Sequence, residues 1–545
     1  MSTHLLQYSH LLHLQLLDMR VLKCQHFALY NTADRTTNVK LVCCSKYTST
    51  LLITQSLKTL TQVNALCSTF PSMESTPKHQ QLLHLLLLTT LIYLSSAISI
   101  QSSFPQEALP TKSGYLTINS TSGSSIFYTF YEAQNPRTPI YDTPIVIWLQ
   151  GGPGCSSMLG NFYELGPFRV SFSLRHNVEH LTLVRNSGSW NRIFGVLFID
   201  NPIGTGFSIA GSPDEVPRNQ HDVAKHLFIA VREFIGLEKS FENRPIYATG
   251  ESYAGKYVPA FGYYTLKKNA RLAKSRRLNL AGVGIGNGLT DPEIQVGTHA
   301  LNAYYSGLIN GKQKMELEKL QEEAIRLTRN GNWSEATSAR LRVLGTLSNM
   351  TGLATLYDFR RLKPYEDDLV GKFLSSVEIK RALKAKESIS FEVCSDLVGN
   401  ALNDDVMKSV RYMVEFLVKN TKVLLYQGQC DLRDGVVSAE VWMKKMKWEG
   451  IGKFLEAERN VWSVNDELAG YVQKWENLTH VVVMNAGHLV PTDQAVNSQA
   501  MIEDWVLEKG LFATGQVMQK PSHIVSIQSS FPEEVSPTKS GYFNS

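Results

Sequence analysis

Short apolar runs recur along the middle of the chain and alternate with longer stretches whose apolar positions are spaced for helices. The runs are Pro144-Ile-Val-Ile-Trp-Leu149, Gly195-Val-Leu-Phe-Ile-Asp200, residues 244–248, Leu278-Ala-Gly-Val-Gly-Ile-Gly286, Val423-Leu-Leu-Tyr426 and Val481-Val-Val-Met484. Runs this short and this continuous predict strands buried on both faces, and strand–helix alternation predicts a parallel or mostly parallel sheet. Helical spacing covers 223–235 and 254–269, and a last helix is expected from 501 to 507. Between about 310 and 385 the strand pattern stops. Met315-Glu-Leu-Glu-Lys-Leu-Gln-Glu-Glu-Ala-Ile-Arg-Leu327 is strongly amphipathic there, so this stretch reads as a helical cap inserted between sheet strands, over the site.

The two ends look different. Residues 1–72 hold one Pro and no Gly and are rich in Leu, Thr, Ser and His, which leaves a core of that length without turn residues. At Met73 a weakly basic start leads to Leu82-Leu-His-Leu-Leu-Leu-Leu-Thr-Thr-Leu-Ile-Tyr-Leu94 and then Ser-Ser-Ala, the pattern of a secretory signal peptide over 73–98. Met73 is therefore expected to start the protein, with 1–72 a gene-model extension; an organelle transit segment is the rival reading. As a membrane span the apolar run is too short, so no membrane association is expected of the mature form. The segment Ser99-Ile-Gln-Ser-Ser-Phe-Pro recurs as Ser526-Ile-Gln-Ser-Ser-Phe-Pro, and both copies continue to Pro-Thr-Lys-Ser-Gly-Tyr. The first copy opens the expected mature domain, 99–515, and the tail, 516–545, looks like a truncated second start.

Composition narrows the chemistry. With 545 residues, 43% apolar and 19% charged, this is a globular protein, and a net charge of +5 is mild for that length. The basic run from Lys267 to Arg277 has no interleaved aromatics and reads as a solvated surface loop, so no nucleic-acid partner is expected. No phosphate-binding glycine loop and no zinc-type cysteine spacing occurs, so neither a nucleotide cofactor nor a metal is expected. Four of the seven cysteines precede residue 70. Cys155, Cys394 and Cys430 remain, and an odd count suggests one bridge and one free thiol.

Gly250-Glu-Ser-Tyr-Ala-Gly255 joins a predicted strand to a predicted helix. Small residues two before and two after Ser252 permit a sharp turn that lifts the hydroxyl clear of the sheet, at the positive end of the helix. A serine nucleophile needs a base and an acid to orient it. Asp431 follows the strand ending at Tyr426, and His488, in Asn485-Ala-Gly-His-Leu-Val-Pro491, follows the last strand. The order Ser, Asp, His, each just past the C-terminal end of a strand, is that of an α/β-hydrolase site. Gln150-Gly-Gly-Pro-Gly-Cys-Ser-Ser157 lies after an early strand, where the backbone N–H of Gly152, with that of Tyr253, is placed to hold a developing oxyanion.

Trp148-Leu-Gln-Gly-Gly-Pro-Gly-Cys-Ser-Ser157, Asp200-Asn-Pro-Ile-Gly-Thr-Gly-Phe-Ser208, the Ser252 turn and Gly487-His-Leu-Val-Pro491 together resemble the signatures of serine carboxypeptidases, closest to the plant serine carboxypeptidase-like group. The resemblance runs from about residue 99 to about 512. It implies an α/β-hydrolase fold and removal of single residues from the C-termini of peptides or proteins. On it, Ser252, Asp431 and His488 fall on the catalytic triad, and Gly152 and Tyr253 on the oxyanion donors. Glu251, Gln150 and Gly151 fall on the group that holds the substrate's terminal carboxylate, where the family has Asn in place of Gln150; the extra methylene changes the amide's reach. Gln429 and Asp434 stand where the family often has Asp and Cys, a difference that bears on specificity. Cys155 and Cys394 match positions the family pairs, leaving Cys430 free. Two carboxylates cannot sit together unless one is protonated, so this chemistry suits acid pH. Behind a signal peptide, the sequons at Asn119, Asn332, Asn349 and Asn477 become glycan sites and the destination becomes extracellular or vacuolar. Some plant relatives on this scaffold are acyltransferases using sugar-ester donors, but they resemble Gly-Asp-Ser-Tyr-Ser-Gly at the turn, and Glu251 and Ala254 favour the peptidase.

Overall fold

The computed structural model describes residues 104–513 apart from 176–177. The expected extension, signal peptide and repeated tail lie outside the described residues.

The six apolar runs form six neighbouring parallel strands. These are β3 (Ile145–Leu149), β6 (Gly195–Ile199), β7 (Ile246–Glu251), β8 (Leu280–Gly286), β9 (Lys422–Gly428) and β12 (Leu478–Val483), in the spatial order β6-β3-β7-β8-β9-β12. Alternation across a strand sends Ile145, Ile147 and Leu149 to one core, and Val146 and Trp148 to another on the opposite face. The first core is closed by α1 (Gln220–Gly236) and α2 (Ala254–Asn269), through Val223, Leu227, Val258 and Phe261; the second takes Met501, Ile502 and Trp505 from the last long helix.

Four more strands, not anticipated from the sequence, extend the sheet to ten. β1 (Lys112–Asn119) and β2 (Ser124–Tyr131) add antiparallel at one edge; β11 (Glu467–Trp475) and β10 (Arg459–Val464) add at the other. A separate hairpin of β4 (Phe168–Arg175) and β5 (Val178–Arg185) was equally silent in the sequence pattern.

The insertion between β8 and β9 is longer than the 310–385 expected. It begins with short helices at Pro292–Val296 and His299–Tyr305, and its largest pieces are α3 (Gly311–Arg329) and α4 (Trp333–Thr351). α3 starts where Asn310 and Gln313 each accept the other's backbone N–H, and α4 stops at Gly352, which has φ 64°. The insertion returns to the sheet through α5 (Arg411–Val418), and the chain's last long helix is α6 (Ala495–Leu507), which starts six residues before the expected 501. Lys267 and Lys268 belong to the last turn of α2 rather than to a loop, where their charge complements the helix dipole. Among the described residues, no helix is long and apolar enough to cross a membrane.

Candidate active site

β7 ends in the turn that carries Ser252. Its φ is 60°, a left-handed conformation that costs a non-glycine residue energy and that the surrounding packing holds in place. Ser252 N–H donates to the Gly286 carbonyl at 3.0 Å, and the Ser252 carbonyl accepts from Leu289 at 2.9 Å, so the turn is clamped by the end of β8. A side chain at Gly250 would lie 2.7 Å from Ala254 Cβ, which explains the small residues on both sides of the serine. The Gly loop after β3 presses on the same turn: a Cβ at Gly151 would lie 2.6 Å from Tyr253 N and 2.7 Å from Ser252 Cβ. Neither Gly152 N–H nor Tyr253 N–H donates to another group among the described residues. Both residues line one cavity of about 180 Å³ with Ser252.

Asp431 and His488 sit beyond β9 and β12 and are joined by a 2.7 Å hydrogen bond between Asp431 Oδ2 and His488 Nδ1. Both are buried. Asp431 also accepts from Arg433 N–H at 2.7 Å, Asp434 N–H at 3.2 Å and the Asn287 side-chain amide at 2.7 Å. Asn287, at the end of β8 with φ 41°, also accepts from Gly428 N–H at 3.1 Å, tying β8 to β9 just before Asp431. Sequence reasoning passed over it; an Asn between two glycines beyond a parallel strand was the available signal. Tyr357, from the insertion, packs on the His488 ring at 4.6 Å between centroids, and its carbonyl accepts His488 N–H at 2.7 Å. His488 Nε2 is buried without a hydrogen-bond partner among the described residues.

Gln150 organises a carboxyl pair. Its Oε1 accepts from the Trp148 indole at 2.8 Å, which turns Nε2 toward Glu251 Oε1 at 2.8 Å and Glu164 Oε1 at 3.1 Å. The Gln150 amide thus bridges two acids. Glu164 was not anticipated. It lies in Asn161-Phe-Tyr-Glu-Leu-Gly-Pro-Phe168, and a lone carboxylate in an apolar, aromatic stretch was its only signal. Burial pushes the Glu164 carboxyl up to about 7, opposed by the neighbouring Glu251 carboxyl and the Gln150 amide. Burial, and next the charge of Glu164, push Glu251 well above the ordinary range. Glu251 therefore stays protonated through the acid range. Glu251 Oε2 and Glu164 Oε2 are both buried without partners among the described residues. Arg169, from β4, binds the carbonyls of Glu164 and Pro491, which gives the unexpected hairpin a structural task.

A second buried network holds the side chain of Tyr253. Its hydroxyl donates to Asp405 Oδ2 at 2.7 Å, and Asp405 also meets Gln220 Nε2 at 2.7 Å and Lys256 Nζ at 3.0 Å. Burial lowers Lys256 to about 8, against the pull of Asp405. In the Asp200 motif, Asp200 accepts from Ser156 Oγ at 2.5 Å and Phe207 N–H at 2.9 Å, fixing the far end of the Gly loop.

A disulfide joins Cys155 to Cys394. Among the described residues Cys430 is a buried free thiol, and burial raises its pKa to about 11, which keeps it protonated beside Asp431. Asn119, Asn332 and Asn349 are exposed, whereas Asn477 is half-buried and its amide donates to the Val418 carbonyl at 2.8 Å.

A serine on a strained strand–helix turn and an Asp–His pair beyond later strands of a mostly parallel sheet define an α/β-hydrolase. Residues 103–508 match the model of the serine carboxypeptidase family, Peptidase_S10, and the chain belongs to that family. It is thus a serine-type carboxypeptidase, a hydrolase of peptides. It is 58% identical over 440 residues to Serine carboxypeptidase-like 50 of Arabidopsis thaliana, covering 80% of this chain and 97% of that protein. It is 34% identical over 426 residues to Probable serine carboxypeptidase CPVL of Homo sapiens, covering 76% and 86%. The structure of Kex1(delta)p, a prohormone-processing carboxypeptidase from Saccharomyces cerevisiae, superposes with a TM-score of 0.65 at 27% identity, covering 74% of this chain and 92% of that one.

Proposed function

We propose that the chain releases C-terminal amino acids from peptides at acid pH through an acyl-enzyme formed on Ser252. His488 Nε2 takes the Ser252 proton as the hydroxyl attacks the last peptide carbonyl, and returns it to the leaving amine. Water, deprotonated by the same nitrogen, then releases the acyl group. Asp431 holds His488 in the tautomer that leaves Nε2 free, and the N–H groups of Gly152 and Tyr253 receive the oxyanion.

One observation carries the choice of a carboxypeptidase over a general esterase. Glu251 Oε2, next in sequence to the nucleophile, is buried with no partner among the described residues. A protonated carboxyl there donates to a substrate carboxylate, and the free N–H of Gly151 is a second donor beside it. Ionisation of Glu251 turns that attraction into repulsion, whereas His488 must be neutral to act. Activity therefore falls as pH rises through the ionisation of Glu251.

The signal-peptide pattern supports delivery through the secretory pathway to an extracellular or vacuolar destination, with glycans on the sequons. We place the working domain at residues 99–515. The test is release of the C-terminal residue from N-blocked dipeptides across pH 4 to 8, with Ser252→Ala as control. Activity that peaks in acid and vanishes in the variant is expected. Labelling of Ser252 by a serine-reactive phosphonate without dipeptide cleavage would refute the substrate class and turn attention to sugar-ester donors.

A further inference from the structure

The cavity shared by Ser252, Gly152 and Tyr253 contains none of Gln150, Glu164 or Glu251. If the C-terminal residue of the substrate points to Glu251, its carbonyl at Ser252 sends the penultimate residue the other way, into this cavity. The inference rests on that reading of the site.

Two arginines line the cavity, Arg340 from α4 and Arg433 from the loop after β9. Neither guanidinium makes a hydrogen bond among the described residues. Arg340 is buried and its nearest acid is Asp434, at 3.6 Å, beyond hydrogen-bond reach. Asp434 is itself held by Gln295 Nε2 at 3.1 Å. Arg433 has no acid within ion-pair distance among the described residues; it lies over the Tyr357 ring at 4.7 Å, and its Nε is buried without a partner. Asp431 is near, but its oxygens already accept from His488, Asn287 and two backbone N–H groups. Arg433 is half-buried with its Nε lacking a partner among the described residues, and buried Arg340 has only the long ion pair to Asp434, so both leave donors to fill at the edge of one cavity. The rest of the lining includes Leu289 and Leu341, which can pack on a short aliphatic stem.

We propose that Arg340 and Arg433 select peptides with an acidic residue, Asp or Glu, immediately before the C-terminal residue that is removed. A carboxylate there completes the donor sets of both arginines, and a planar guanidinium meets it with two parallel N–H groups. Asp434 pairs with Arg340 at 3.6 Å and keeps it in place while leaving it donors for a carboxylate.

The experiment compares kcat/KM for N-blocked dipeptides that share one C-terminal residue and carry Glu, Gln, Leu or Lys before it, at about pH 5.5. The Glu peptide is expected to exceed the Gln and Leu peptides by about 10-fold or more, with Lys the poorest. Lowering the pH through the side-chain carboxyl's own pKa, about 4.3, should erase the margin of Glu over Gln. Arg433→Gln should lower kcat/KM for the Glu peptide by about 10-fold while moving the Leu peptide far less. The wild-type series and its pH dependence decide the matter even if that variant fails to fold. Equal or better cleavage of the Leu or Lys peptide overturns the inference and leaves the carboxypeptidase reading standing, as does an equal loss on every peptide in Arg433→Gln. Release from none of the four overturns the carboxypeptidase reading and this inference with it.

Discussion

Gly151→Ala adds one methyl group where the Gly loop meets the serine turn. The new Cβ would stand 2.6 Å from Tyr253 N, 2.7 Å from the Glu251 carbonyl and 2.7 Å from Ser252 Cβ. Each is about 0.7–0.8 Å short of the 3.4 Å at which ordinary contact begins. None of these atoms is the end of a flexible side chain, and Ser252 is clamped to β8 from the other side, so the loop and the turn must separate. Overpacking of this kind costs about 1–3 kcal/mol of stability. The larger effect is expected on rate, because Gly151 and Gly152 carry the N–H groups proposed for the carboxylate and the oxyanion. A displacement approaching 1 Å at such groups lowers kcat/KM by about 100-fold. The assay pairs a thermal melt with kcat/KM on one blocked dipeptide. A folded variant within about threefold of wild type would refute the argument that this contact sets the geometry.

Asp431→Asn should lower kcat on the order of 10³–10⁴-fold with little change in KM, since Asn no longer enforces the His488 tautomer. Asn287→Gly keeps the positive φ but loses both amide contacts; steady-state kinetics should show kcat down about 10-fold, because one of the four donors to Asp431 is gone. Glu251→Gln should flatten the alkaline limb of the kcat/KM profile, because its amide donates at every pH and never becomes an anion; an unchanged limb would show that another group sets it. For Glu164, whose folded pKa is raised to about 7, the folded state binds more protons than the unfolded state between about 4.5 and 7. That group's contribution to stability therefore falls as pH rises through this window, and Glu164→Gln should gain Tm relative to wild type from pH 4.5 to 7.

The sequence revealed the six parallel strands because both their faces are covered, which makes each a continuous apolar run; β2 is buried on both faces too, but Ser124, Ser125 and Thr129 break up its run. β10, Arg459-Asn-Val-Trp-Ser-Val464, has exposed Val461 beside buried Trp462, so no apolar run announces it. The edge strand β1 and the β4–β5 hairpin were illegible for the same reason. α6 was seen only from Met501 because its first turns, from Ala495, carry Asn497, Ser498 and Gln499, whose polarity hides the period. Ser252, Asp431 and His488 stood out by chain order and by position after strands. Glu164 and Asn287 did not, because their importance lies in contacts across the sheet, with Gln150 and Glu251 in one case and Asp431 in the other. Such pairings become visible only when the strands are placed side by side.

The most direct measurement compares one blocked dipeptide with its C-terminal amide at about pH 5. If protonated Glu251 with Gln150 and Gly151 grips the terminal carboxylate, the free acid should exceed the amide by about 10-fold or more in kcat/KM, and the ratio should shrink as pH rises. Equal cleavage of acid and amide across the range would contradict the account, leaving a serine hydrolase that does not read the end of the chain.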